Sequence, residues 1–179
     1  MTEEDLEILK AKEMSVITNP ASNLKLASGI APIHRMMEKE ISLAIGTDGP
    51  ASNNCLDMFR EMFLVTALAK YREGDAGVVD GEEVLRMATV GGARAMNLTE
   101  CDILAEGKQA DIIMIDLWQP NMRPIHHLQK NLVYSGSKQN IKMTMVAGEV
   151  LYENGEFQIG CDPEFVYARA EEITRRIFR

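Results

Sequence analysis

The apolar run Ile41 to Ile45 leads into Gly46-Thr47-Asp48-Gly49-Pro50, which sets a carboxylate between two glycines at the end of a short buried strand. The glycines let the backbone turn sharply and let a ligand come close. At the C-terminal rim of a parallel α/β sheet or barrel such side chains do chemistry, so Asp48 is the first candidate catalytic residue. The other use of an Asp in a Gly-rich segment, capping the next helix or filling a turn, stays open at this point. Ser52 and Asn53 follow on the same rim. Ser52 is a candidate substrate contact, with capping of a helix that starts near Leu56 as its alternative.

The elements that must position these residues alternate. Thr2 and Asp5 form an approximate capping box for a helix over about Glu3 to Lys12. A strand at Ser15 to Thr18, a loop from Asn19 to Gly29, a helix over about Pro32 to Lys39 and the strand before Asp48 come next. Leu56, Phe59, Met62, Phe63, Leu64 and Leu68 mark a longer amphipathic helix, and Gly74 to Gly77 breaks the pattern as a loop. Asp80 starts a helix at Gly81 to Ala88, and Thr89 is expected to cap another over Gly91 to Asn97. The rhythm then changes to short strands at Ile112 to Asp116, Ile141 to Ala147, Glu149 to Glu153 and Glu156 to Ile159, with Asn154-Gly155 as a two-residue hairpin turn. Asp162-Pro163 opens a last helix to about Ile177, with Arg175, Arg176 and Arg179 placed near its negative end.

Three further segments join Asp48. They are Asn19-Pro20-Ala21-Ser22-Asn23 with its continuation to Pro32, Ala88 to Met96, and Gly107-Lys108-Gln109-Ala110-Asp111-Ile112-Ile113; a fourth is Asn131-Leu132-Val133-Tyr134-Ser135. Together these stretches resemble the amidohydrolase superfamily, in the branch of the S-adenosylhomocysteine and methylthioadenosine deaminases, guanine deaminase-like enzymes and triazine chlorohydrolases. The resemblance covers nearly the whole chain. It implies an α/β fold: the C-terminal part of a (β/α)8 metal-dependent hydrolase barrel, about strands seven and eight with their helices, plus part of a small β-sandwich subdomain. The division it implies is a partial barrel at 1–105, part of the β subdomain with its connecting segment at 106–160, and a C-terminal helix at 161–179.

The resemblance also implies the reaction, hydrolysis of a C–N or C–Cl bond on a purine-like or other nitrogen heterocycle. It gives Asp48 a double role as metal ligand and general base, accepting the proton of the attacking water and passing it to the leaving amine. One divalent metal, zinc, is implied for each complete active site. The family's histidine ligands stand after its first, fifth and sixth barrel strands, whereas His34, His126 and His127 occupy no such setting. By this alignment the chain begins just past the last histidine ligand. It is expected to hold metal weakly or not at all and to be inactive alone unless another chain supplies the rest of the barrel.

His34 reads as a surface or packing residue on an amphipathic helix. Adjacent His126 and His127 diverge by about 100° or 180° along a helix or strand, so they read as part of a connecting segment rather than as ligands of one metal. Ser22 and Asn23 are expected to shape the pocket wall, and Lys108 and Asp111 to form a local pair.

Composition bounds the rest. The chain has 179 residues, 46% of them hydrophobic, which suits a globular piece with a real core. A net charge of -8 argues against a nucleic-acid partner. The longest apolar stretch, Met62 to Ala69, falls far short of the roughly 20 residues of a membrane span, so no membrane role is expected. With no charged-then-apolar leader, and with Cys55, Cys101 and Cys161 odd in number and far apart, the expectation is a cytoplasmic protein with reduced thiols. Its partners are a small-molecule heterocyclic substrate in the complete enzyme and either a complementing N-terminal barrel portion or a second copy of itself. Two strands cannot close a barrel, and the uncovered edges favour association. The alternative to an enzyme portion is a truncated, non-catalytic binding or assembly module that retains the tail of the fold.

Overall fold

The structure, a computed structural model, describes residues 1–178; Arg179, expected near the end of the last helix, lies outside them. The chain forms two units, Met1–Lys108 with Leu117–Asn140, and Gln109–Asp116 with the chain from Ile141 onward.

The first unit begins with α1 (Glu3–Ala11), opened by the expected capping box: Thr2 Oγ1 accepts from Asp5 N at 3.2 Å and Asp5 Oδ2 accepts from Thr2 N at 2.6 Å. Leu6 is the buried residue of this helix, so it anchors α1. Two parallel strands follow, β1 (Ser15–Thr18) and β2 (Ser42–Ile45), paired in register from Ser15 with Ser42 to Thr18 with Ile45. Their connection carries α3 (Ile33–Glu38), as a parallel pair requires a crossover. It also carries a short helix, α2 (Pro20–Lys25), where the sequence predicts only loop. Pro20 sits at the first helical position, where its missing N–H costs nothing, so it starts the helix.

After β2 come α4 (Pro50–Asn53) and the long α5 (Met58–Glu73), which is capped by Asp57, whose Oδ1 accepts from Phe59 N at 3.0 Å. Gly74, left-handed at φ 67°, ends it. The stretch from Gly81 to Ala95 runs as α6 (Gly81–Arg86), a π-helical turn (Met87–Gly91) and α7 (Gly92–Ala95). The expected break at Thr89 is absent. Its hydroxyl donates to the Leu85 carbonyl at 2.8 Å inside the turn instead of capping a new helix. Gly91 lies against β2, where a Cβ would stand 2.2 Å from the Leu43 carbonyl oxygen. The unit closes with α8 (Leu128–Ser135). Its core contains Leu6, Met36, Val65, Val84, Met122 and Val133, all essentially inaccessible; each such side chain contributes about 1.5–3 kcal/mol over an exposed one.

The second unit is an antiparallel meander in the order β3 (Ile112–Ile115), β4 (Ile141–Val146), β5 (Glu149–Glu153), β6 (Glu156–Phe157). Asn154 (φ 49°) and Gly155 (φ 97°) make the tight turn between β5 and β6, as their types predict. Ala147 and Gly148, also at positive φ, make the preceding one. The last helix, α9 (Pro163–Ile177), starts as expected with Asp162 Oδ1 accepting from Glu164 N at 2.9 Å, and Arg175 and Arg176 lie in its last turn. Phe165, Tyr167 and Ile177 on this helix are exposed, as is Phe178 after it.

Candidate active site

Because β1 and β2 are parallel, the segments after Thr18 and after Ile45 leave the sheet at the same end. That end is the carboxyl rim, where α/β proteins gather their reacting groups. Gly46 lets the two segments stay close, for a Cβ there would stand 2.5 Å from Asn19 Oδ1. Asp48 follows two residues later. It is exposed and adopts φ 59°, a left-handed conformation that Asp tolerates better than most residues.

Both oxygens of its carboxyl group are engaged. Ser22 Oγ, buried on α2, donates to Oδ2 at 2.6 Å, and Gly49 N donates to Oδ1 at 2.7 Å. These bonds favour the ionised form. The Ser22 hydroxyl first, then that of Ser52, then the Gly49 amide hold the Asp48 carboxyl below its ordinary pKa. Asp48 is thus a fixed, ionised acceptor at the strand end. Each oxygen retains lone-pair capacity for a water or a cation.

Ser52 lies within α4, where its Oγ donates to the Gly49 carbonyl at 3.0 Å. Neither it nor Asn53 caps the helix after Leu56, since Asp57 does. Asn53 is buried, with Nδ2 donating to Thr47 O and to Glu61 Oε1, both at 2.7 Å. Ser22, expected to shape the wall, reaches Asp48 directly. Lys25 ties α2 to α4 by donating to Ala51 O at 2.9 Å and to Asn54 Oδ1 just after it.

The other candidates lie elsewhere. His34 is partly exposed and 3.6 Å from Glu38 one turn on, in keeping with a surface histidine. His127 precedes α8 and caps it with no side-chain bond. Lys108 pairs with Asp102. Its Nζ lies 2.9 Å from Asp102 Oδ1, on whose other oxygen Arg94 Nη2 sits at 3.2 Å, whereas Asp111 accepts from Gln109 Nε2 and Ala147 N. Among the described residues no three His, Cys, Asp or Glu side chains converge as a metal site would need. A catalytic zinc commonly takes three protein ligands, so Asp48 fits as one donor and the described residues alone do not make a complete zinc site.

A parallel strand pair with a crossover helix and an aspartate at its carboxyl rim is the arrangement of an α/β protein at its ligand-facing end. The chain matches the Amidohydrolase family over residues 1–151 and belongs to it. It is 43% identical over its whole length to a 5-methylthioadenosine/S-adenosylhomocysteine deaminase of Caldanaerobacter subterraneus, covering 41% of that protein. It is also 43% identical over 154 residues to a 5'-deoxyadenosine deaminase of Methanosarcina acetivorans, which is 86% of this chain and 35% of that one. In structure it is similar to an adenosine deaminase from Xanthomonas campestris with bound zinc, at TM-score 0.94 and 37% identity, over 99% of this chain and 40% of that one. It also resembles an atrazine chlorohydrolase from Arthrobacter aurescens complexed with zinc, at TM-score 0.84 and 27% identity, over 96% and 38% of the two chains. The chain spans about 41% of the length of the first of these relatives.

Proposed function

We propose that this chain is the C-terminal portion of a metal-dependent aminohydrolase and that Asp48 is its reacting carboxylate. In this reading β1 and β2 are barrel strands seven and eight of a TIM barrel, and β3 to β6 belong to the small β subdomain, within a division at 1–105, 106–160 and 161–179. What carries the reading is the placement of Asp48, ionised and bonded to Ser22 and Gly49, at the carboxyl end of a parallel strand. The names of the relatives favour an adenine nucleoside as the substrate class.

The chemistry follows from the carboxylate. Asp48 accepts a proton from water, whose oxygen bonds to the ring carbon that bears the amino group. The proton passes from Asp48 to the amino group as the C–N bond breaks, and that group leaves as ammonia. A divalent metal, zinc in this reading, would acidify the water; Asp48 would be one of its ligands, and the remaining ligands would come from a complementing N-terminal barrel portion. Ser52, beside Asp48, is the proposed substrate contact. Cys55, Cys101 and Cys161, odd in number and far apart in sequence, fit a reducing, cytoplasmic setting, and among the described residues no helix is long and apolar enough to cross a membrane.

The test is complementation. The chain is mixed with zinc and the N-terminal three-fifths of a related deaminase, and ammonia release from 5'-methylthioadenosine is followed. Activity is expected from the mixture and none from either part. A mixed complex that forms without activity would favour the non-catalytic assembly module.

A further inference from the structure

Glu61, on α5, is fully buried, an uncommon place for a carboxylate. It faces the site from behind, and both its oxygens accept: Oε2 from Ala21 N at 3.0 Å, Oε1 from Asn53 Nδ2 at 2.7 Å. Asn53 Nδ2 donates in turn to Thr47 O. Ala21 adjoins Ser22 in the chain and Thr47 adjoins Asp48. One buried side chain therefore grips the backbone beside each partner of the Ser22–Asp48 hydrogen bond, through a direct arm on the β1 side and an arm through Asn53 on the β2 side.

We propose that Glu61 is a positioning residue, a buried strut that sets the Ser22 hydroxyl against the Asp48 carboxyl and so fixes the direction in which that carboxyl presents its free lone pairs. A helix needs no buried carboxylate to pack; an aliphatic residue would fill the volume without leaving acceptors to satisfy. Two N–H donors aimed at one side chain from separate rim segments do need one, since a buried N–H without an acceptor is costly. The choice of Glu over Gln has a geometric reason. An amide offers one acceptor and one donor, and its donor would face either Ala21 N–H or the Asn53 amide.

The experiment uses the whole chain and reads amide hydrogen exchange by NMR, with crystal structures of the variants. Glu61→Gln is expected to cut the protection of Ala21 N–H by about tenfold or more, to lengthen Ser22 Oγ–Asp48 Oδ2 beyond hydrogen-bond reach, and to leave Val65 and Ala69 on the same helix unchanged. The double variant Glu61→Gln with Asn53→Asp makes a complementary pair, the introduced amide donating to the introduced carboxylate while its oxygen accepts from Ala21 N. That variant should recover most of the Ala21 protection but not the Thr47 contact, which no longer has a donor. Loss of a generic packing group would not be rescued by a second buried change. Asn53→Ala provides the test from the other side and does not depend on Glu61→Gln folding; it should keep Ala21 protected and still lengthen the Ser22–Asp48 distance. Ala21 protection and a 2.6 Å Ser22–Asp48 contact that both survive Glu61→Gln, or a contact that survives Asn53→Ala, would overturn the proposal. The catalytic meaning of the strut rests on the reading of Asp48 as the reacting carboxylate; these measurements need no turnover, so a failed strut and a failed catalytic reading are told apart.

Discussion

Ser22 Oγ donates to Asp48 Oδ2 at 2.6 Å across 26 residues of chain, joining the segments that leave β1 and β2 at the same end of the sheet. A hydroxyl held this way stabilises the charged carboxylate and limits its rotation. Ser22→Ala should therefore raise the pKa of Asp48 toward the usual carboxylate value of about 3.9, read from the carboxyl carbon shift in an NMR titration. Because the folded pKa of Asp48 is depressed, its contribution is present above the unfolded value and is lost as pH falls through the folded one. The variant should lose stability less steeply than the wild type below about pH 4. Parallel acid-unfolding curves would contradict the role given to Ser22.

Asp80 offers an independent pH test away from the site. Its Oδ1 accepts from Glu82 N at 2.9 Å and Glu83 N at 3.1 Å, and Glu83 Oε2 accepts from Asp80 N at 2.8 Å. The Glu83 amide is the largest cause of its lowered pKa. Asp80→Ala should cost about 1 kcal/mol at neutral pH, measured by urea unfolding. Asp80→Asn should cost little at neutral pH, yet remove this group's loss of stability as pH falls through the depressed pKa.

How much of this was legible in the sequence depends on range. Strand β1 falls on Ser15 to Thr18 as predicted, and the turn at Asn154-Gly155 and the start of α9 at Asp162-Pro163 follow from residue type, because φ preference and capping act over two or three residues. The same reasoning missed α2, since Pro20 breaks a helix or begins one according to what precedes it. Glu61 was invisible for a different cause. A single Glu among Phe59, Met62, Phe63 and Leu64 reads as the solvent face of an amphipathic helix, and only the pairing of β1 with β2 brings Ala21 and Asn53 to it. Likewise Asp102, which pairs with Lys108, sits in a polar stretch with no periodicity to mark it as buried.

Gly91 tests the packing of the π-helical turn on β2. Any side chain there meets the Leu43 carbonyl, with a Cβ at 2.2 Å, and backbone cannot rotate away as a side-chain tip can. Gly91→Ala should destabilise the chain by about 1–3 kcal/mol, whereas Gly92→Ala, whose Cβ would make only an ordinary contact 3.9 Å from Met87 O, should not. Equal melting temperatures for Gly91→Ala and the wild type would refute the contact.

The exposed side chains of Phe165, Tyr167, Ile177 and Phe178, and of Ile17 on β1, lead to an expectation about association. Apolar surface and an open strand edge favour self-association or capture of a complementing barrel portion. Size-exclusion chromatography with light scattering should give a species larger than 20.0 kDa at micromolar concentration. A monodisperse monomer would count against it.

The measurement that bears most directly on the account compares Asp48 with its neutral isostere in the complemented assembly. With zinc and the N-terminal portion present, Asp48→Asn should lower ammonia release by about 100-fold or more, while the assembly still forms and the isolated chain still folds, losing only the stability that the ionised carboxylate contributes. Turnover by Asp48→Asn at the wild-type rate would contradict the assignment of Asp48 as the reacting carboxylate.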